Sequence, residues 1–400
     1  MGTIDHDAVL RARVLLLGSG QPGRGELLDA YRVLTEVNPK AYAPKLVDAL
    51  LSMDSRDPAV RLALSAEAVE VGRRIEAGSP ARERVLSRAL TTYQWDLFAL
   101  GRRGEGRAVC EELAEEGWSG RLATVLAEEG RFREAAELNE RAARSGGVSE
   151  QSLSPLLEWA ANLEGAGLHD AASDVFRELI DVARRLADEQ RTSTAMLTWA
   201  LVHHARMRET AGHAEQAAAA RREALTVLER LASRGDSKSG GYRGEWVTLF
   251  VLSGRGDEPA ASAASPMPPF GTERGWSGDT RNAFLGALPG LEAQAAALRE
   301  AGRLPELVDT QRRIGIRVAA RHGDHPYLFV ERLGPHFDDG VALARRLPDD
   351  PARLARALTD RSMFFVAAGT YRSAYADLAE AVTLTKVRSA GSASRGASPA

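Results

Sequence analysis

The stretch Leu122 to Gly147, LATVLAEEGRFREAAELNERAARSGG, decides how the rest of the chain reads. Apolar residues at Trp118, Leu122, Val125 and Leu126 recur at helical spacing, and Gly130 interrupts them. A second helical pattern then runs through Phe132, Ala135, Leu138 and Ala142. Two short helices joined by a glycine turn make a hairpin. Neither helix can bury its apolar stripe alone, so the hairpin needs stacked neighbours and further copies should exist along the chain.

They do. The pattern is a turn glycine, a small residue seven before it, another five after it, and an apolar or small one twelve after it. Gly130 has Ala123, Ala135 and Ala142; Gly167 has Ala160, Ala172 and Leu179; Gly212 has Ala205, Ala217 and Ala224. Gly302 has Ala295, Leu307 in place of a small residue, and Ile314, while Gly369 has Ser362, Ala374 and Ala381. Small side chains where two helices cross let their axes approach, and glycine lets the backbone leave the first helix in a left-handed conformation. Weaker turns near Pro22, Asp54, Gly104, Gly254 and Gly334 fill the intervals, giving about ten hairpins spaced by roughly 27 to 49 residues. Trp118, Trp159, Trp199 and Trp246 each fall in a predicted first helix, where core packing is their expected role.

The segments GRFREAA, GLHDAA, GHAEQAA and GTYRSAY resemble the turn and second helix of the tetratricopeptide repeat (TPR) family. Asn38-Pro39, after Leu27-Leu28-Asp29-Ala30-Tyr31, resembles the end of one such repeat. The longer units resemble the variant repeats of kinesin light chains and those behind the nucleotide-binding module of bacterial, notably actinobacterial, signalling ATPases. The likeness runs from residue 10 to 386 and is strongest over 115 to 230 and 285 to 386. It implies an all-α fold, a right-handed α-solenoid of about ten degenerate TPR-like helical hairpins.

Composition narrows the function classes. Of 400 residues, 44% are hydrophobic and 27% charged, enough for an extensive core. A net charge of -3 gives no overall basic field for nucleic acid or an anionic membrane. Only Lys40, Lys45, Lys238 and Lys386 are lysines among 52 basic residues, which reads as GC-rich codon usage rather than a phosphate-reading surface. Cys110 is the single cysteine, which excludes intramolecular disulfides and cysteine-rich zinc sites. The short apolar run Val14 to Leu17, with Asp5 and Asp7 nearby, fits neither a signal peptide nor a membrane span. A reducing cytoplasm is the expected location.

Two stretches depart from the repeats. Pro259, Pro266, Pro268 and Pro269, with several Gly and Ser, interrupt helix formation between the helix expected at Tyr242 to Ser253 and the later hairpins. The expected organisation is therefore a solenoid segment at 1–254, a loop or linker at 255–283, a second segment at 284–386 and a disordered tail at 387–400, where RSAGSASRGASPA from Arg388 lacks apolar periodicity. A binding role for the long loop is the functional alternative to a plain linker.

Residue types that carry chemistry are present without the spacing that chemistry needs. Val14 to Gly25, VLLLGSGQPGRG, imitates the start of a phosphate-binding loop, but Arg24 and Gly25 stand where lysine and a magnesium-binding hydroxyl belong. A turn between two repeat helices explains it better. His203 and His204 are adjacent on a helix and point about 100° apart, one toward a neighbouring helix and one toward solvent, so they form no zinc pair. His322 to Pro326 reads as a helix-ending turn, and Asp338-Asp339 as an acidic helix start. No catalytic triad, cofactor site or metal site is assigned.

The expected function is a protein-interaction scaffold that holds a peptide or protein partner on a concave surface, without direct contact to nucleic acid or membrane. The alternative is a sensor or regulatory module of a signalling or transcription-control system acting through a separate effector; an enzyme is the third reading. The resemblance implies that the inner surface uses first-helix residues nine and six positions before each turn glycine. These are Arg121 and Thr124, Glu158 and Ala161, His203 and Arg206, Ala293 and Ala296, and Asp360 and Met363. Trp199, one turn before His203, adds an aromatic anchor beside Arg206. None of these is lysine or asparagine, so the basic clamp by which some relatives hold a chaperone's C-terminal carboxylate is not reproduced.

Overall fold

The computed structural model describes residues 5–18, 20–145, 153–189, 194–235, 243–323 and 329–395, with side chains of the last helix described to Thr385. Every regular element among them is helical, and none is a strand. No helix among the described residues is long and apolar enough to cross a membrane.

The turn glycines do what the spacing requires. Gly130, Gly167, Gly212, Gly302 and Gly369 have φ between 67° and 81°, a region costly for any residue with a Cβ. At Gly130 the amide donates to the Ala127 carbonyl at 3.1 Å, and that of Arg131 reaches back to the Leu126 carbonyl at 2.9 Å. This pair of bonds satisfies carbonyls that the helix end would orphan, and the same pair closes the helices before the other four glycines. The small residues seven before each glycine, Ala123, Ala160, Ala205, Ala295 and Ser362, are all buried. In the last hairpin Ser362 Oγ donates to the Ala374 carbonyl at 2.6 Å, which joins the two positions where the helices were expected to cross. Ala142 alone departs from the pattern and is exposed.

The chain divides into two compact units, Met1–Leu122 with Ser277–Asp279, and Ala123–Trp276 with Thr280–Ala400. Unit 1 carries α1 (His6–Leu17), α2 (Arg24–Val37), α3 (Pro39–Ser52), α4 (Pro58–Arg73), α5 (Pro80–Ala99) and α6 (Arg103–Glu115). Each packs on the next. Gly18 caps the end of α1 and Gly23 is the N-cap of α2.

Beyond α7 (Gly120–Glu128), unit 2 contains α8 (Phe132–Ser145), α9 (Leu153–Gly165), α10 (His169–Asp188), α11 (Thr194–Thr210) and α12 (Ala214–Arg234). After α13 (Arg243–Gly254) and α14 (Gly278–Gly286), it continues with α15 (Leu288–Glu300), α16 (Leu304–His322), α17 (Phe329–Ala344), α18 (Pro351–Ala367) and α19 (Tyr371–Arg395). Helices α8 to α12 pack in sequence, as do α15 to α19. The two series meet: α19 packs on α12, and α13 packs on α11, α16 and α18. Trp246 of α13 lies at their junction, with the rings of Phe250, Phe329, Phe337 and Phe364 between 5.2 and 6.3 Å from its own.

Several expectations need correction. Gly104 lies inside α6, and the turn before that helix is made by Gly101 at φ 70°. There the position seven before is the large Gln94, which hid the register, although Gly106, five after, keeps the small-residue pattern and packs closely on Phe98, whose ring an added Cβ would meet at 3.0 Å. Gly334 and Asp338-Asp339 lie within α17, so neither a turn nor a helix start is there; Asp338 instead pairs with Arg361 at 3.0 Å. Trp118 precedes α7 and is 59% exposed, while Trp159, Trp199 and Trp246 are buried in helices. The contacts divide the chain at Leu122/Ala123, whereas the sequence reading divided it at 255–283; residues on both sides of that loop share one core. Backbone helix continues past Arg388 to Arg395. Tyr242 and residues 324–328, including His325, lie outside the described residues.

Candidate functional site

Unit 2 holds a cavity of about 820 Å³ walled chiefly by α11, α13, α16, α18 and α19. Residues 199, 203 and 206 are spaced i, i+4, i+7 and therefore share one face of α11. That face turns Trp199, His203 and Arg206 to the cavity, where Asp360 and Met363 of α18 join them. The other register residues lie elsewhere. Arg121 belongs to unit 1, its Nε donating to Gln94 at 3.1 Å and its guanidinium stacked 4.1 Å from the Trp95 ring centre. Thr124 is half-buried on α7, Glu158 and Ala161 are on α9, and Ala293 and Ala296 are exposed on α15, none of them on this cavity's wall.

Trp199 is 4% exposed, and its indole N–H donates to the Met363 carbonyl at 3.2 Å. It therefore ties α11 to α18 as well as forming part of the wall. His203 stacks on Phe176 with ring centres 5.2 Å apart, and its Nε2 lies 2.9 Å from Arg206 Nη2. Arginine only donates, so Nε2 accepts and the ring proton sits on Nδ1. Burial, reinforced by the charges of Arg206 and Arg255, holds the His203 pKa well below its ordinary value, and the ring is neutral. His204 faces the same helix, α10, with its ring centre 6.2 Å from that of Phe176 and its Nε2 3.0 Å from Ser173 Oγ, so neither histidine is turned to solvent as the helical spacing led one to expect.

Asp360 leads to Arg312, which the sequence reading did not select. Arg312 Nε donates to Asp360 at 2.7 Å, Nη1 to Asp257 at 3.1 Å and Nη2 to Ser253 Oγ at 2.6 Å. Burial opposes the guanidinium's charge, but Asp360 and Asp257 outweigh it and hold its pKa above the ordinary value. At another part of the wall Arg353 bridges Asp350 and Asp309, and Arg356 also bonds Asp309. All six arginines lining the cavity have carboxylate partners. The wall thus offers polar groups without an excess positive field that would favour a polyanion. Trp199, Phe250, Met363, Leu378 and Val382 supply its apolar part. Among the described residues, no three His, Cys, Asp or Glu side chains are grouped to hold a metal ion.

Glu158 has its own environment. It accepts from Asn139 Nδ2 at 3.0 Å, and Asn139 Oδ1 accepts from Asn162 Nδ2 at 2.9 Å. Burial pushes the Glu158 pKa up to about 7, against the opposing effect of the Asn139 hydrogen bond. A carboxyl raised in this way costs nothing below its unfolded value of about 4.3 and destabilises the fold as pH rises through 7. Glu158→Gln should therefore be neutral near pH 4 and stabilise by on the order of 1–3 kcal/mol at pH 8, measured by urea unfolding. An effect of equal size at both pH values would reject this account.

No protein-family model matches the chain, and no curated protein matches it either.

Proposed function

We propose that unit 2 is a binding module built from two tetratricopeptide-like hairpin ladders, α8 to α12 and α15 to α19. In this reading the cavity of about 820 Å³ holds a short peptide segment of a protein partner, and the protein acts as an interaction scaffold rather than an enzyme. The observation that carries the reading is the meeting of Trp199, His203 and Arg206 of α11 with Asp360 of α18 around one cavity. A volume of about 820 Å³ lies within the range of ligand sites. Its aromatic and aliphatic surface rewards burial of side chains, and its paired ions give a peptide backbone polar edges to register against.

A regulatory role is the second reading, favoured by the origin of the walls. They come from α11 on one ladder and from α16, α18 and α19 on the other, with α13 between. A ligand that fits one spacing of the ladders better than another would shift their equilibrium, and an effector could sense it.

Selection of displayed random peptides tests the binding reading. Thr359 lines the cavity on α18, so Thr359→Trp fills space there, whereas Arg222→Ala changes the exposed surface of α12. Peptides enriched on the native protein should bind Thr359→Trp about ten-fold or more weakly and Arg222→Ala equally well. No enrichment, or equal binding to a folded Thr359→Trp protein, rejects the cavity as the site.

A further inference from the structure

The segment from Arg255 to Trp276 has only two single turns of 3-10 helix, yet it is firmly tied down. On one side Arg255 donates to the Ala161 carbonyl at 2.9 Å and pairs with Glu164 at 3.6 Å. On another, Glu258 pairs with Arg317 at 2.7 Å and Arg313 at 3.3 Å. Farther along, the Met267 amide donates to the Glu128 carbonyl at 2.9 Å. Hydrogen bonds to three separate helices make this strap a fixed wall rather than a loose linker.

Beneath it is a second cavity, of about 300 Å³. Phe132, Val251, Met267, Pro268, Phe284 and Ile316 give it an apolar lining. Both of its carboxylates are paired in place, Glu164 with Arg206 and Arg255, and Glu258 with Arg313 and Arg317, so four arginines share two glutamates and the local balance is positive. Glycine sets two of its closest approaches: an added Cβ at Gly165 would meet the Phe132 ring at 2.7 Å, and one at Gly254 would meet Ile316 Cδ1 at 2.2 Å. Arg206 and Thr210 line this cavity and the larger one, so the two adjoin.

We infer that the smaller cavity is an anchor pocket for one uncharged apolar side chain, phenyl or branched aliphatic, of the peptide held in the larger cavity. This inference rests on the peptide-binding reading above. An apolar cavity of about 150 Å³ already accepts benzene, so the volume suffices for a phenylalanine side chain. A cationic side chain entering here would lose its water and meet this excess of arginine, which selects against it.

The test uses the full chain with labelled methyl groups, titrated with N-acetyl-phenylalaninamide, N-acetyl-leucinamide, N-acetyl-lysinamide and, as the acidic comparison, the α-amide of N-acetyl-glutamate. Saturable NMR shifts at Met267, Val251 and Ile316 are expected with the first two probes, and binding about ten-fold or more weaker with the third. Gly256 lines only the smaller cavity, and an added Cβ there meets no atom within 4 Å, so Gly256→Leu should fold and weaken binding about ten-fold. If its thermal midpoint falls, Ala260→Trp, on the exposed part of the strap, is used in its place. Absence of saturable shifts, shifts confined to Met363 and Val202 in the larger cavity, equal binding of the lysine probe, tighter binding of the glutamate probe than of the apolar ones, or undiminished binding by the folded filling variant overturns the inference. Each probe carries a single side chain, so a failed peptide selection and a failed anchor pocket give separate results.

Discussion

Arg312→Ala should lose about 3–5 kcal/mol of stability, seen as a lower midpoint in urea or guanidinium unfolding. The guanidinium side chain is 10% exposed and its main partner Asp360 is 15% exposed, so removing the cation leaves a desolvated carboxylate without compensation. Ser253 Oγ also loses its donor, and Phe250 loses the cation 5.7 Å from its ring centre. The loss should therefore come mainly from the abandoned anion. Arg312→Met combined with Asp360→Leu should recover most of it, because replacing a whole buried pair costs far less than breaking it. A loss below about 1 kcal/mol for Arg312→Ala would mean that water replaces the guanidinium and that this ion cluster is unimportant to the cavity wall.

Trp246→Ala is expected to cost about 3–5 kcal/mol, the range for emptying a large aromatic site. Trp246 is 1% exposed and touches rings carried by α13, α17 and α18, so the void would open where the two helical series meet. Trp246→Phe should behave differently. The buried indole N–H finds no hydrogen-bond acceptor, so phenylalanine removes an unsatisfied donor while forfeiting part of the packing. These effects oppose one another, and the net change should stay within about 1.5 kcal/mol. Unfolding measurements on the two variants separate the contribution of ring volume from that of the N–H group. A Phe variant as unstable as the Ala variant would refute the argument.

The turns were legible because their chemistry is local. A glycine at Gly130 or Gly369 reports a positive φ from its own identity, and the helices on either side announce themselves by periodicity. Where local signals were borrowed for other purposes the reading failed. Gly334 is a helical residue, and Asp338 was followed into a supposed helix start although its partner, Arg361, stands 23 residues away. Spacing along a helix fixes which residues share a face, and so put Trp199, His203 and Arg206 on one side of α11, whereas only the packing of α18 brought Asp360 to the same cavity.

Arg312 was hidden by composition. In an arginine-rich chain one more arginine carries little information, and its partners Ser253, Asp257 and Asp360 lie 59, 55 and 48 residues away. A clue was available in Ile314 to Ala320, IGIRVAA, where Arg317 interrupts an apolar run and marks α16 as a helix buried with its charges. By itself, the sequence determined the all-helical class and the position of its clearest turns, because backbone sterics and apolar periodicity act within a few residues. Only the tertiary structure decided that α19 returns to α12, that α13 lies among α11, α16 and α18, and hence that two cavities form under and beside the strap. Those contacts depend on the accumulated packing angles of many helices, and no local stretch of sequence encodes that sum.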